Sequence, residues 1–313
     1  MIRFERDAWA LILGGSSGFG LATAKKLARE GMSVCVVHRD RRGAMARIEV
    51  EFAEIRACGG GFLALNLDAL ALEGRKQVLD ELAAAMGDGK VRLLMHSIAF
   101  GNLKPLAPLS SRVRSPAAVG LDKLATATGL TRDALQAAVR EAFEGGAVAL
   151  RGLIPPEFGD ALLEDEDMAR TIHAMGTSLL TWVQDVFGRS LFAADARVLG
   201  LTSEGNQIAW RGYAAVSAAK AALESVSRSI ALELGPHGIR SNIIQAGVTD
   251  TPALRLIPGS DAMRAAAVAR NPLGRLTRPE DVAGFVSLMC TDEAGWVNGA
   301  LLVVDGGERI APA

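Results

Sequence analysis

The chain has 313 residues, half of them hydrophobic, and a formal net charge of -1, a balance that argues against a nucleic acid or an anionic membrane surface as the main partner. Its three cysteines, Cys35, Cys58 and Cys290, lie far apart, are odd in number and lack metal-ligand spacing, so neither a disulfide framework nor a metal site is expected. They read as reduced core residues, and with acidic residues at the N-terminus and no uncharged apolar run of about 18 residues, the expectation is a soluble cytoplasmic protein outside any membrane.

The first unit predicts a strand over Ala8 to Leu13, a glycine loop through Gly14, Gly18 and Gly20, and a helix from Leu21 to Glu30 stopped by Gly31. A second apolar run, Ser33 to His38, follows at once, which makes a βαβ unit with a right-handed crossover. The glycines let the backbone turn tightly and approach a ligand, and the helix N-terminus offers free N–H groups to a phosphate. The loop therefore resembles a dinucleotide fingerprint, although its spacing is Gly-x3-Gly-x-Gly and not the commoner Gly-x-Gly-x2-Gly. Beyond the second strand lies His38-Arg39-Asp40-Arg41-Arg42, where a side chain should meet the adenosine ribose. Arginine there pairs with a 2′-phosphate and favours NADPH over NADH; Asp40 is the dissenting residue.

The alternation continues with a helix from about Arg42 to Ala57, a strand over Phe62 to Asn66 with Asp68 beyond its end, a helix over Glu73 to Met86 and a strand over Val91 to Met95. Such alternation is what a doubly wound sheet produces, and its ligands sit beyond the C-terminal strand ends, where Asp68 and His96-Ser97-Ile98-Ala99 fall. From about Lys104 to Arg170 the rhythm breaks. Prolines 105, 108, 116, 155 and 156, an amphipathic helix over Thr131 to Phe143 and the acidic run Glu164 to Asp167 predict a helical excursion, with the acidic run as a solvated face. The sheet resumes with a helix over Thr171 to Ala193, a strand over Arg197 to Leu201, a long helix up to Leu234, a strand over Arg240 to Gln245, a helix over Pro279 to Cys290 and a last strand over Ala300 to Val304. The fold class is α/β: a Rossmann-type doubly wound parallel sheet, one domain over residues 1–313 with an inserted helical segment at about 104–170.

The stretch Trp210 to Val226 holds the chain's one tyrosine, Tyr213, seven positions before Lys220 in an alanine-rich run. Apolar residues at 216, 219, 223 and 226 recur at a helical period, so Tyr213 and Lys220 are expected on one helix. Seven residues at about 100° each return nearly to the starting direction about 10.5 Å along the axis, which puts both side chains on one face. A cation near the phenol would favour its ionised form and bring its pKa down from about 10. A lysine can also hold a sugar hydroxyl. The alternative is a packed tyrosine and a solvated lysine.

Four separated stretches together resemble the short-chain dehydrogenase/reductases: Leu13-Gly-Gly-Ser-Ser-Gly-Phe-Gly20, Asp68 after the third strand, Asn271 to Val282, and Val303-Val-Asp-Gly-Gly307. Most members carry tyrosine four residues before the lysine, where this chain has Val216, and an Asn-Ala-Gly triplet where it has His96-Ser97-Ile98. Both departures are similar to the enoyl-acyl-carrier-protein reductase branch, with its Tyr-x6-Lys pair. The glycine loop, however, is the ordinary short-chain form and the inserted segment is long.

The resemblance implies that Tyr213 hydrogen-bonds the thioester carbonyl of an enoyl substrate and that Lys220 holds the nicotinamide ribose. It places Gly14, Ser16, Ser17 and Phe19 at the pyrophosphate and ribose, Arg39 at the 2′-phosphate, and Leu67 with Asp68 at the adenine. Ser97 and Ile98 would border the middle of the cofactor, and Thr249 and Thr251 its nicotinamide end or phosphates. Thr202 or Ser203 would give the substrate oxygen a second hydrogen bond. The apolar stretch from Pro252 to Arg275 would form a lid, and a homotetramer or homodimer is implied. A carrier-bound or free acyl thioester is the expected substrate. Two other readings stay open: a carbonyl reductase acting on 3-ketoacyl thioesters, for which a serine thirteen residues before Tyr213 is wanted where Gly200 stands, and a dinucleotide sensor without chemistry.

Overall fold

A computed structural model of the chain describes residues 2–108, 116–144, 150, 153 and 158–311. Seven strands form one sheet: β1 (Ala8–Leu13), β2 (Ser33–His38), β3 (Phe62–Asn66), β4 (Lys90–His96), β5 (Phe192–Thr202), β6 (Ile239–Ala246) and β7 (Leu301–Val304). Their order is β3-β2-β1-β4-β5-β6-β7, with every neighbouring pair parallel. A parallel sheet needs helices on both faces, so its strands are apolar on both sides. Leu11, Leu13, Val37 and Leu94 accordingly pack under α3 (Leu72–Met86), α7 (Ser178–Gly188) and α8 (Ala214–Leu234) through Leu79, Trp182 and Leu223. Ala10, Ile12, Val36 and Met95 pack on the other face against α1 (Gly18–Arg29), α2 (Met45–Arg56) and α11 (Pro279–Met289) through Leu27, Phe52 and Val286. The strand order reverses between β1 and β4, and that switch point opens a crevice above the C-terminal strand ends.

Between β4 and the second half of the sheet lie α4 (Pro116–Thr128), α5 (Arg132–Glu144) and α6 (Asp165–Ile172). Pro155 and Pro156 fall outside the described residues. The acidic run is exposed at Glu164, Asp165 and Glu166, as a solvated face should be, and it also starts α6: the Asp167 carboxylate accepts from the Glu164 backbone N–H at 3.3 Å and from Lys104 Nζ at 2.6 Å. Acidic side chains stabilise a helix N-terminus because its N–H groups are unpaired and carry the positive end of the dipole. The helix expected over Thr171 to Ala193 therefore begins earlier, contains a π turn at His173–Thr177 and ends at Gly188. Strand β5 also begins earlier than Arg197: Phe192 pairs with Val91, and the weakly strand-forming Ala193-Ala194-Asp195 lies in the irregularity between that pair and the pair Leu93 with Arg197.

Further along, α9 (Pro252–Arg255) and α10 (Ser260–Arg270) cover the crevice where a lid was expected. Among the described residues no helix is long and apolar enough to cross a membrane, and no group of three or more His, Cys, Asp or Glu is placed to hold a metal.

Candidate active site

The crevice holds a cavity of about 620 Å³ at the C-terminal ends of the strands. Gly14, Ser16, Ser17, Phe19, Arg39, Leu67, Asp68, Ser97, Ile98, Tyr213, Lys220, Thr249 and Thr251 all line it. Residues spread over more than two hundred positions thus converge because most of them end a strand or open the helix after it, while Lys220 reaches the crevice from two turns inside α8.

At one end, the loop after β1 bends at Gly14, whose φ is +86° and whose N–H donates to Val37 O at 2.8 Å. A Cβ on Gly14 would fall 2.5 Å from Ser97 O, and one on Gly20 would collide with Gly14 O, so only glycine keeps this loop tight against β4 and α1. Ser17 precedes α1 without capping it by its side chain, which leaves the helix N-terminus to a ligand's phosphate. At the end of β2, Arg39 Nη1 donates to Asp68 Oδ2 at 2.8 Å and the guanidinium lies over the Phe100 ring at 4.9 Å. Burial works against ionisation of Asp68, but the Leu70 N–H and Arg39 outweigh it and hold its pKa below the ordinary value. The dissenting Asp40 turns its carboxylate to His38 Nδ1 at 3.0 Å.

Tyr213 is not inside the helix that carries Lys220. It precedes α8, its carbonyl accepting from Ser217 N at 2.8 Å, while Lys220 lies two turns in. The phenol packs among Met175, Val216 and Ala219, with its ring in T-shaped contact with Trp210 at 5.3 Å. A side chain at Gly205 would strike the same ring. Burial raises the Tyr213 pKa above its ordinary 10, opposed by Ser203, whose Oγ is 3.5 Å from the phenol oxygen. The expected lowering of that pKa by Lys220 is absent, because the amine is directed elsewhere: Nζ donates to Leu201 O at 2.8 Å. Burial lowers the Lys220 pKa to about 8, with Glu224 opposing.

Thr202 and Ser203 have different partners. Thr202 Oγ1 donates to Glu224 Oε1 at 2.7 Å, and Ser203 faces the phenol. His96, below the cavity rather than lining it, is hydrogen-bonded to Ser178 Oγ at 2.8 Å, and burial with the nearby Lys220 charge pushes its pKa down to about 3, so it is a neutral support.

Several lining residues escaped the sequence reading. Leu103, Met175 and Trp210 form an apolar wall beside Tyr213. Gln245, at the end of β6, is buried with Oε1 unpartnered, an acceptor that a ligand's N–H or O–H would satisfy. A glycine loop held tight by close backbone contacts, a helix N-terminus with no side-chain cap and this unpaired acceptor suit a dinucleotide.

Comparison with known proteins gives the class. A model described as "short chain dehydrogenase" matches residues 8–114, and one described as "Enoyl-(Acyl carrier protein) reductase" matches residues 131–308, more than half of the chain. The chain belongs to the short-chain dehydrogenase/reductase family, whose members are oxidoreductases that use a nicotinamide dinucleotide. Among curated relatives, a cis-4-hydroxycyclohexanecarboxylate dehydrogenase of Sinomonas cyclohexanicum is 27% identical, with 95% of each chain covered. A (3R)-3-hydroxyacyl-CoA dehydrogenase of Canis lupus familiaris is 25% identical, with 96% of each covered. A solved short-chain dehydrogenase/reductase of Serratia marcescens shares the fold at a TM-score of 0.68 and 21% identity, over 96% of this chain and 97% of the other.

Proposed function

We propose that this protein reduces the α,β-double bond of an enoyl thioester, with NADPH as the reductant. The observation that carries this reading is the placement of Tyr213. The position next to Lys220 in the helix is taken by Val216, which has no proton to give, and the phenol one turn earlier is kept protonated by burial. A protonated phenol in an apolar site is a strong hydrogen-bond donor to an oxygen that gains negative charge. When bound, the cofactor supplies a hydride for the β-carbon. Tyr213, with Ser203 beside it, would hold the thioester oxygen as it takes on enolate character, and the low-dielectric surroundings would strengthen that hydrogen bond.

Lys220 would turn from Leu201 O toward the ribose hydroxyls. Its place 7% exposed beneath the cavity suits a buried sugar better than solvent. Arg39, already fixed by Asp68, would face the 2′-phosphate, which supports NADPH over NADH.

A second reading has its own support. Measured to Val216, where most of the family carries its tyrosine, a serine thirteen residues upstream is Ser203, and it faces Tyr213. With 3-hydroxyacyl-CoA dehydrogenases among the relatives, reduction of a 3-ketoacyl thioester is the competing activity. The test follows NADPH absorbance with crotonyl and with acetoacetyl thioesters. Oxidation with crotonyl thioester alone is expected; consumption of acetoacetyl thioester alone would transfer the assignment to carbonyl reduction, and consumption of neither would remove both.

A further inference from the structure

We propose that residues 102–107 and 158–163, from the two ends of the segment between β4 and α6, belong to the active site: they seat the loop carrying Tyr213 and supply part of the wall that selects the acyl group. The proposal builds on the thioester reading but is tested separately from it. Its first support is the loop before α8. Gly212 has φ +74° and sits so close to the Phe158 ring that a Cβ would collide with Cε1 and come within 3.0 Å of Leu103 O. The preceding residue, Arg211, lies over the same ring at 5.5 Å and donates from Nη2 to Ala107 O at 2.6 Å. Tyr213 N in turn donates to Trp210 O at 3.2 Å. The peptide that aims the phenol is therefore gripped by Phe158, Leu103 and Ala107, all from this segment.

The grip has a firm base. Leu163 N donates to Pro105 O at 3.0 Å, Lys104 pairs with Asp167 at 2.6 Å, and Asn102 N donates to Thr171 Oγ1 at 3.0 Å. The two ends of the segment are thus fastened to each other and to α6. Farther out, α5 lies against α10, whose Met263 borders the cavity. Leu103 also borders it and, like Trp210 and Ile257, packs against the cluster around Tyr213. An apolar wall made jointly by this segment and the lid is the surface an acyl chain needs, whereas a polar substrate would lose hydrogen bonds there. Phe158 is a positioning residue, acting through Gly212; Leu103 determines specificity by touching the substrate.

The experiment measures kcat, KM and NADPH dissociation for Phe158→Ala, Phe158→Tyr and Leu103→Phe with crotonyl and decenoyl thioesters. Phe158→Ala is expected to lower kcat about tenfold or more while NADPH affinity stays within about twofold, since a displaced catalytic group costs rate rather than cofactor binding. Phe158→Tyr, which keeps the ring, restores it. Leu103→Phe is expected to raise KM for decenoyl over crotonyl thioester about tenfold. A Phe158→Ala enzyme with unchanged kcat overturns the proposal. Should that variant lose NADPH binding as well, Leu103→Phe decides: an unchanged chain-length ratio overturns it, and the expected ratio upholds it. If acetoacetyl thioester proves to be the substrate class, the enoyl reading fails, and the same ratio read with short and long ketoacyl thioesters still tests the wall.

Discussion

Replacing Lys220 by methionine separates what this side chain costs the fold from what it gives the site. The amine is buried, and burial brings its pKa from 10.5 to about 8, which corresponds to about 3 kcal/mol of disfavoured charge relative to the unfolded chain. The folded pKa lies below the unfolded one, so between pH 8 and 10.5 the unfolded chain binds more protons. Stability from this group therefore rises with pH through that window, and the whole cost is present below pH 8. Methionine matches the length and carries no charge. It forfeits the bond to Leu201 O, worth about 1 kcal/mol, and removes a larger penalty.

The Lys220→Met enzyme should thus be inactive yet at least as stable as the wild type near neutrality. Urea unfolding of both proteins without cofactor, across pH 8 to 10.5, should show the wild type gaining about 3 kcal/mol on the variant. A stability difference that stays flat over this window would refute the claim that the amine is buried at a cost.

Three further outcomes are expected. Tyr213→Phe should cut turnover about a hundredfold or more, the loss seen when an oxyanion donor is removed, with NADPH affinity by fluorescence titration unchanged; wild-type rates would end the proposed role. Arg39→Ala should raise KM for NADPH about tenfold, the equivalent of one charge-assisted contact, and leave NADH nearly unaffected; equal effects on both would mean that Arg39 serves only Asp68. Gly20→Ala forces a Cβ into Gly14 O and should cost about 1–3 kcal/mol, visible as a lower thermal midpoint together with lost dinucleotide binding. Unaltered cofactor affinity in that variant would show that the loop does not cradle the phosphates.

The alternation of buried strands and amphipathic helices was legible because a parallel sheet covered on both faces demands continuous apolar runs such as Ala8 to Leu13 and Ser33 to His38. The glycine loop was legible for a related reason: positive φ at Gly14 and the contact at Gly20 admit no other residue. Elements with weak local preference were harder to place. The Ala193-Ala194-Asp195 stretch is strand only in its tertiary setting, bridging Phe192, which pairs with β4, and Ala196, which pairs with β6.

The site divides along the same line. That Tyr213, Arg39 and the glycines lie on one crevice follows from their places at strand ends and helix starts, and Lys220 joins them through its seven-residue spacing from Tyr213, all of which sequence order already specifies. Tertiary structure alone decided that Ser203 and not Thr202 faces the phenol, that Lys220 bonds a carbonyl, and that burial raises the Tyr213 pKa instead of a cation lowering it. It also decided that Phe158, more than fifty residues upstream, presses on Gly212. Local sequence sets which backbone shapes are affordable, but partners, desolvation and close contact depend on which distant segments arrive at the same place.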